Sequence, residues 1–343
     1  MRIAEVAPPW LAVPPKGYGG IEWVVASLSD GLAERGHDVT LFATGDSDPK
    51  ARLEYVFEMA PGPAAINSVW HDSLHQLLVH RDPGRFDLIH QHTPWSGLVA
   101  ARLLDVPVVH TLHGEFNDDM RALYAEVAGD VWFVAVSEDQ RSHMPDLRYA
   151  GVVHNGIEVG RYPLRERKDE FLLFLGRGSP DKGPARAIAA AREAGRPLVM
   201  ALKVAHPEEV RHWKEDLEPA LGDDVEVRWE LSLDEKTDLL SRARAVLFPI
   251  DWDEPLGLVM TEAMACGTPV VATPRGAAPE VVVHGETGFV VPVEAYAEAA
   301  AEALERVDDI DPRACRRRVE ERFSAETMVR GYEAAFERAL AGA

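Results

Sequence analysis

Two kinds of hydrophobic pattern alternate along the chain. Short apolar runs open it at MRIAEVAP (1–8) and recur at DVTLFAT (38–44). Runs of this length, rich in β-branched residues, read as strands buried on both faces. Between them, apolar residues fall at Ile21, Val24, Val25, Leu28 and Leu32, the spacing of one helix face, and Gly36 supplies a left-handed stop. The product is a strand–helix–strand unit whose connection suits parallel strands. Further strands are predicted at DLIHQH (87–92), VPVVHTLHG (106–114), VWFVAVS (131–137) and AGVVHNG (150–156). The pattern breaks at RYPLRERKD (161–169), charged and interrupted by Pro163, which reads as a linker. It restarts with FLLFLGRG (171–178), a helix from Pro184 to a Gly195 stop, PLVMAL (197–202), DVEVRWE (224–230), AVLFPI (245–250), PVVATP (269–274) and GFVVP (288–292). A last helix is predicted over 324–343, capped by Ser324.

The chain of 343 residues is too long for one core. Two successive doubly wound α/β domains are therefore expected, over 1–163 and 164–323. A formal net charge of −21 argues against nucleic-acid binding as the main role, because phosphate backbones need a dense basic face. It also disfavours, more weakly, a hold on anionic lipid; the short basic runs RERK (165–168) and RRR (316–318) read as solvated faces. Cys266 and Cys315 cannot build a disulfide framework, which points to a reducing cytoplasm. The opening MRIAEVAPPW is expected not to act as a secretion signal, and no stretch approaches the ~18 apolar residues of a spanning helix.

In doubly wound sheets, ligands sit beyond the carboxyl ends of the strands, so the loops leaving strands carry the candidate chemistry. DEPLGLVMTEAMACG (253–267) places Glu254 just before a helix and Glu262 inside it. Free N–H groups at such a helix start, near Gly257 and Leu258, welcome a diphosphate. Glu254 is then placed for sugar hydroxyls and Glu262 for a ribose. Spacing alone also fits a surface helix with two solvated acids. FLLFLGRGSPDKG (171–183) adds Arg177 and Lys182 between glycines, a pair suited to diphosphate oxygens, although PDKG is also good turn chemistry.

The ordered set GGIEWVVASLSDGLAERGHDVTLFATGDS, HTLHG, AVS, HNGIE, FLGRGSPDKG and EPLGLVMTEAMACGTPVVATPRGAAPEVVVHGETGFVV resembles the retaining family 4 glycosyltransferases of the GT-B fold, from the first strand to about Val291. The resemblance implies two Rossmann-like domains facing across a cleft. The first binds an acceptor, a small molecule or saccharide, and is crossed by the final helix (324–343). The second binds a nucleotide sugar. It implies transfer with retained anomeric configuration and no metal or other cofactor. By the same resemblance Glu254 holds hydroxyls of the transferred sugar, Glu262 the ribose, and Arg177 and Lys182 the diphosphate. Leu258 and Val259 give backbone donors, Gly19 and Gly20 form the glycine loop that closes on the phosphates, and His113 stands near the reacting carbon. Departures are Leu202 where the family often has glycine, RGAA (275–278) in place of a GG before Glu280, and EPLG for EPFG.

Rival readings are a nucleotide-sugar epimerase or hydrolase on the same fold, and a module that binds nucleotide sugars without turnover. A metal enzyme is a third: HQH (90–92) with His110 and His113 has zinc-suited imidazoles, and DWD (251–253) has the Asp-x-Asp form of a metal motif. His90 and His110 also read as packed or capping residues, Trp10, Trp23 and Trp95 as core, rim or acceptor-lining residues, and Cys266 as buried filler.

Overall fold

The computed structural model describes residues 1–17, 19–204 and 207–342. The chain divides into two compact units, Met1–Ile157 with Ala325–Ala343, and Glu158–Ser324. The first unit's strands are β1 (Arg2–Val6), β2 (Asp38–Ala43), β3 (Arg52–Tyr55), β4 (Leu88–Gln91), β5 (Val108–Leu112), β6 (Val131–Ala135) and β7 (Tyr149–Val152). They form one sheet in the order β3-β2-β1-β4-β5-β6-β7. The second unit has β8 (Leu172–Arg177), β9 (Leu198–Lys203), β10 (Val225–Trp229), β11 (Ala245–Phe248), β12 (Val270–Ala272) and β13 (Gly288–Val290), in the order β10-β9-β8-β11-β12-β13. Every ladder is parallel, as unbroken apolar strands require. Both sheets reverse strand order beside their first strand, at β1/β4 and at β8/β11. In sheets of this kind ligands bind at such a switch, outside the carboxyl ends of the strands. β3 is the one strand of the first sheet that the apolar pattern does not announce; only its middle two residues are even partly buried.

In the first unit the helix Gly20–Glu34 buries Val24, Val25, Leu28 and Leu32. It packs on the last helix, Ala325–Ala341, so closely that a Cβ on Gly31 would lie 2.6 Å from Val329 Cγ2. That last helix buries Met328, Val329, Tyr332, Ala335, Phe336 and Ala339. The stretch 161–169, read as a linker, is part of the second unit: Arg165 donates its N–H to the Cys266 carbonyl at 3.1 Å, and Lys168 Nζ donates to the Ser241 and Cys266 carbonyls, each at 2.9 Å. The helix Val69–Val79 has its polar side inward. Asp72, His75 and Gln76 are buried, and Trp70, Leu74 and Leu77 are exposed. Asp72 accepts a hydrogen bond from Trp10 Nε1 at 2.9 Å, which settles Trp10 inside the unit.

Candidate functional site

In the second unit, β8 ends on Arg177 and the loop leaving it carries Lys182, while the loop leaving β11 carries Glu254 and opens the helix Leu258–Ala265. The switch in strand order thus brings the two predicted motifs together. Their loops are tied by backbone, with Asp251 N–H donating to the Asp181 carbonyl at 2.8 Å. Gly183, at φ +74°, lets the chain pass the second loop; a Cβ there would sit 2.1 Å from the Pro249 carbonyl oxygen. Gly276, at φ +53°, does the same for Glu254, whose carbonyl oxygen would be 2.3 Å from an added Cβ. The neighbouring Ala277 N–H donates to that carbonyl at 3.0 Å. The RGAA departure therefore keeps a glycine where the backbone of Glu254 needs one.

Each glutamate of the motif has its own lysine. Lys182 Nζ donates to Glu254 Oε2 in a short contact and stands 4.1 Å from the centroid of the Trp252 ring. Lys236 Nζ donates to Glu262 Oε1 at 2.6 Å, and Tyr162 Oη donates to the same oxygen at 2.9 Å. Burial, and then the Glu262 carboxylate, push the Tyr162 phenol far above its usual range, so it remains a donor. Arg177 pairs with Glu209 at 3.1 Å and lies 3.7 Å from Asp181. The first hydrogen bond of the helix Leu258–Ala265 is from Met260 N–H to the Gly257 carbonyl at 3.0 Å. The N–H groups of Leu258 and Val259 precede it, without an intrahelical partner. Ser179 Oγ and Trp252 Nε1, on the same two loops, are buried without a partner among the described residues. Lys236, Tyr162, Glu209 and Trp252 were missed by sequence reasoning. Only Trp252, the middle residue of DWD, carried a local signal.

The first unit gathers its chemistry around Glu5, fully buried on β1. His90 Nδ1 lies 3.1 Å from Glu5 Oε2, and His92 Nε2 makes a short contact with Glu5 Oε1. His92 Nδ1 lies 2.7 Å from His113 Nε2, while His90 Nε2 meets Thr111 Oγ1 at 2.8 Å, which in turn meets Tyr332 Oη at 2.9 Å. Burial alone would raise the Glu5 carboxyl, but the adjacent His90 and His92 rings outweigh it and bring the carboxyl down to about 2. Burial, then His90, lower His92 to about 4, and Glu5 only partly opposes this. Burial and the neighbouring rings, His92 first, hold His113 well below the usual imidazole range. His110 is lowered to about 3 by burial, then His92 and His90. It packs edge-on against Phe133 with centroids 5.9 Å apart, as a core residue. Gly19 and Gly20 lie where the loop from β1 enters its helix. A Cβ on Gly19 would come within 2.7 Å of Pro15 Cγ and 2.8 Å of Glu22 Oε2.

Two groups of side chains bear on the metal readings. Glu5, His90 and His92 offer ligand atoms within 4.8 Å of one another. Yet His90 Nδ1 stands 3.0 Å from Glu5 Oε1, closer than the ~3.3 Å between two ligands of a tetrahedral zinc ion. The cluster has hydrogen-bond dimensions. In DWD, Asp251 is paired with Arg275 at 2.9 Å and lies 3.9 Å from Arg186. Cys266 is fully buried, and burial pushes its thiol up to about 12, which makes it inert.

Against known families, residues 161–322 match the model described as glycosyl transferases group 1, and residues 18–161 match glycosyltransferase family 4. The chain is 32% identical to alpha-maltose-1-phosphate synthase of Mycolicibacterium smegmatis, over 89% of this chain and 89% of that protein. It is 29% identical to D-inositol 3-phosphate glycosyltransferase of Frankia alni, over 80% of this chain and 82% of that protein. Among solved structures it resembles AviGT4, a glycosyltransferase involved in avilamycin A biosynthesis, with TM-score 0.76 and 28% identity, covering 100% of this chain and 98% of that one.

Proposed function

The chain belongs to the family 4 glycosyltransferases of the GT-B fold, and from that footing we propose that it moves a sugar from a nucleoside-diphosphate donor to an acceptor hydroxyl, retaining anomeric configuration and using no metal ion. One observation carries this reading: Arg177, Lys182, Glu254 and Glu262 converge at the strand-order switch of the second sheet, two of them in contact with each other. A diphosphate competes with Glu254 for the Lys182 ammonium and takes the free N–H groups of Leu258 and Val259. Glu254, once released, accepts from hydroxyls of the donor sugar. Glu262 Oε1 is already held by Tyr162 and Lys236, so Oε2 faces the ribose hydroxyls.

In the reaction, the bond between the anomeric carbon and the diphosphate oxygen breaks. Arg177, Lys182 and the helix start stabilise the charge that builds on the diphosphate. The acceptor oxygen attacks from the face of departure, and its proton passes to the leaving diphosphate. No carboxylate is assigned as a covalent nucleophile. The acceptor belongs to the first unit, with His113 among its contacts. One relative is named for D-inositol 3-phosphate and another for maltose 1-phosphate, which makes a polyol or saccharide the acceptor class of choice. The buried, unpaired thiols Cys266 and Cys315 support a reducing, cytoplasmic setting. No helix among the described residues is long and apolar enough to cross a membrane.

The test is product analysis with a panel of nucleotide sugars and polyol or saccharide acceptors, with and without EDTA. The expected product depends on the acceptor, retains the anomeric configuration by NMR and survives EDTA. Free sugar formed without an acceptor supports the hydrolase reading. Binding without turnover supports the binding module. Activity lost to EDTA and restored by Mn²⁺ overturns the metal-free mechanism.

A further inference from the structure

We infer that Glu5 and His92 are positioning residues for His113: they fix its ring as the Nε2–H tautomer, so that it meets substrate with Nδ1 as a hydrogen-bond acceptor. The inference rests on the proposed placing of His113 at the reacting sugar or acceptor.

Hydrogen-bond direction is set outward from the Glu5 hub. An ionised carboxylate only accepts, so Glu5 fixes a proton on each ring nitrogen that touches it. His92 Nε2 touches Glu5 Oε1 and therefore donates. His92 is neutral near pH 7, since its ring titrates at about 4. A neutral imidazole with a donating Nε2 has a bare Nδ1. That Nδ1 lies 2.7 Å from His113 Nε2, so the proton between them belongs to His113. His113 is itself held neutral, which leaves its Nδ1 unprotonated, and that atom has no partner among the described residues. The two rings stack with centroids 5.0 Å apart and planes 25° from parallel, so His113 is held in orientation as well as tautomer. The hub has no slack. Glu5 is fully buried, its second oxygen is taken by His90, and His90 is backed by Thr111, Tyr332 and the ring of Phe336 at 5.1 Å.

The consequence is chemical. An acceptor Nδ1 takes the O–H of a substrate hydroxyl and cannot donate to a phosphate oxygen. With its basicity held well below the ordinary imidazole value, His113 orients that hydroxyl and does not remove its proton. The proton is left to the departing diphosphate.

The experiment is long-range ¹H–¹⁵N NMR of ¹⁵N-histidine-labelled full chain at neutral pH. His113→Asn assigns the His113 signals, and steady-state kinetics are run on Glu5→Gln. The expected spectrum has His113 Nε2 protonated and Nδ1 bare. A carboxamide at position 5 can donate where the carboxylate only accepts, so Glu5→Gln shifts His113 toward the other tautomer. It also lowers kcat by ~10–100-fold, the scale for losing a partner that orients a reactive imidazole, with the donor KM little changed. The wild-type spectrum needs no substitution and decides the matter even if Glu5→Gln does not fold. An Nδ1–H or imidazolium signal for wild-type His113 overturns the inference. So does a Glu5→Gln enzyme with unchanged tautomer and kcat, or a stoichiometric metal at the hub by elemental analysis. His113→Ala separates the two readings. Undiminished turnover in that variant removes His113 from the reacting site, and the substrate half of the inference falls with it. A slow His113→Ala enzyme beside the wrong wild-type tautomer sinks the inference alone.

Discussion

The two sheets put polar groups at the same topological place and hold them in opposite ways. At the β1/β4 switch, Glu5, His90 and His92 have fully buried side chains and satisfy one another. At the β8/β11 switch, the Lys182 and Glu254 side chains retain 16% and 15% of their exposure, and those of Lys236 and Glu262 retain 21% and 9%. Dielectric explains the contrast. A charge sealed from water costs several kcal/mol unless every partner is built in, so the first site is wired in fixed directions. A pair that still touches solvent exchanges partners at small cost, so Lys182 can trade Glu254 for another anion. The polar groups of the first unit are sealed in place, and those of the second keep access to solvent.

The largest expected effect breaks the exchanging site. Lys182→Ala lowers kcat by ~10²–10³-fold and raises KM less, because negative charge on the leaving group peaks as the bond breaks. Circular dichroism stays native. Near-normal turnover in steady-state assays would reduce SPDKG to a turn. Next in size, Glu262→Ala removes charge-assisted bonds worth ~1.5–3 kcal/mol each and weakens nucleoside-diphosphate binding accordingly in calorimetry. Binding that is unchanged takes Glu262 out of the ribose site.

The third prediction concerns acid. His92 and His75 are lowered to about 4 and His110 to about 3, so between pH 6.5 and 4 the unfolded chain binds protons that the folded first unit refuses. Stability conferred by these neutral rings is complete above their unfolded value and is lost as pH falls, by at most ~1.4 kcal/mol per pH unit for each ring. Glu5, lowered to about 2, adds a further loss below its ordinary 4.5. Hydrogen exchange, corrected for its intrinsic rate, should show β1, β4 and β5 losing protection from pH 7 to 5 while β8, β11 and β12 keep theirs. Equal loss in both sheets would erase the contrast. The smallest effect is Arg275→Ala. Its pair with Asp251 is 44% and 41% exposed, so melting should register less than ~1 kcal/mol. A larger loss would show that the rim of the second site is more rigid than its exposure implies.

Much of this was legible in the chain. Runs such as VPVVHTL and AVLFPI announce parallel strands because a strand covered on both faces must be apolar throughout. The family, the fold and the residues Arg177, Lys182, Glu254 and Glu262 follow from local motifs, since a glycine loop or a helix start is a short-range device. Gly276 shows the limit: the sequence registered only a departure near Glu280, whereas the backbone contact with Glu254 supplies the reason for the glycine.

Partnerships across the fold were decided elsewhere. Lys236 meets Glu262 from 26 residues away, Lys182 meets Glu254 from 72, and Glu5 meets His92 from 87. Nothing in the local pattern of MRIAEVAP distinguishes Glu5 from an edge-strand glutamate facing water. What makes it a hub is strand order, which sets β4 beside β1, and the last helix, which brings Tyr332 to within 5.0 Å of the His90 ring. The sequence by itself determined which elements form and which loops carry charge, because propensity and periodicity act over a few residues. Only the tertiary structure decided which charges are sealed and paired and which meet solvent, because burial belongs to the assembled sheet and not to any segment of it.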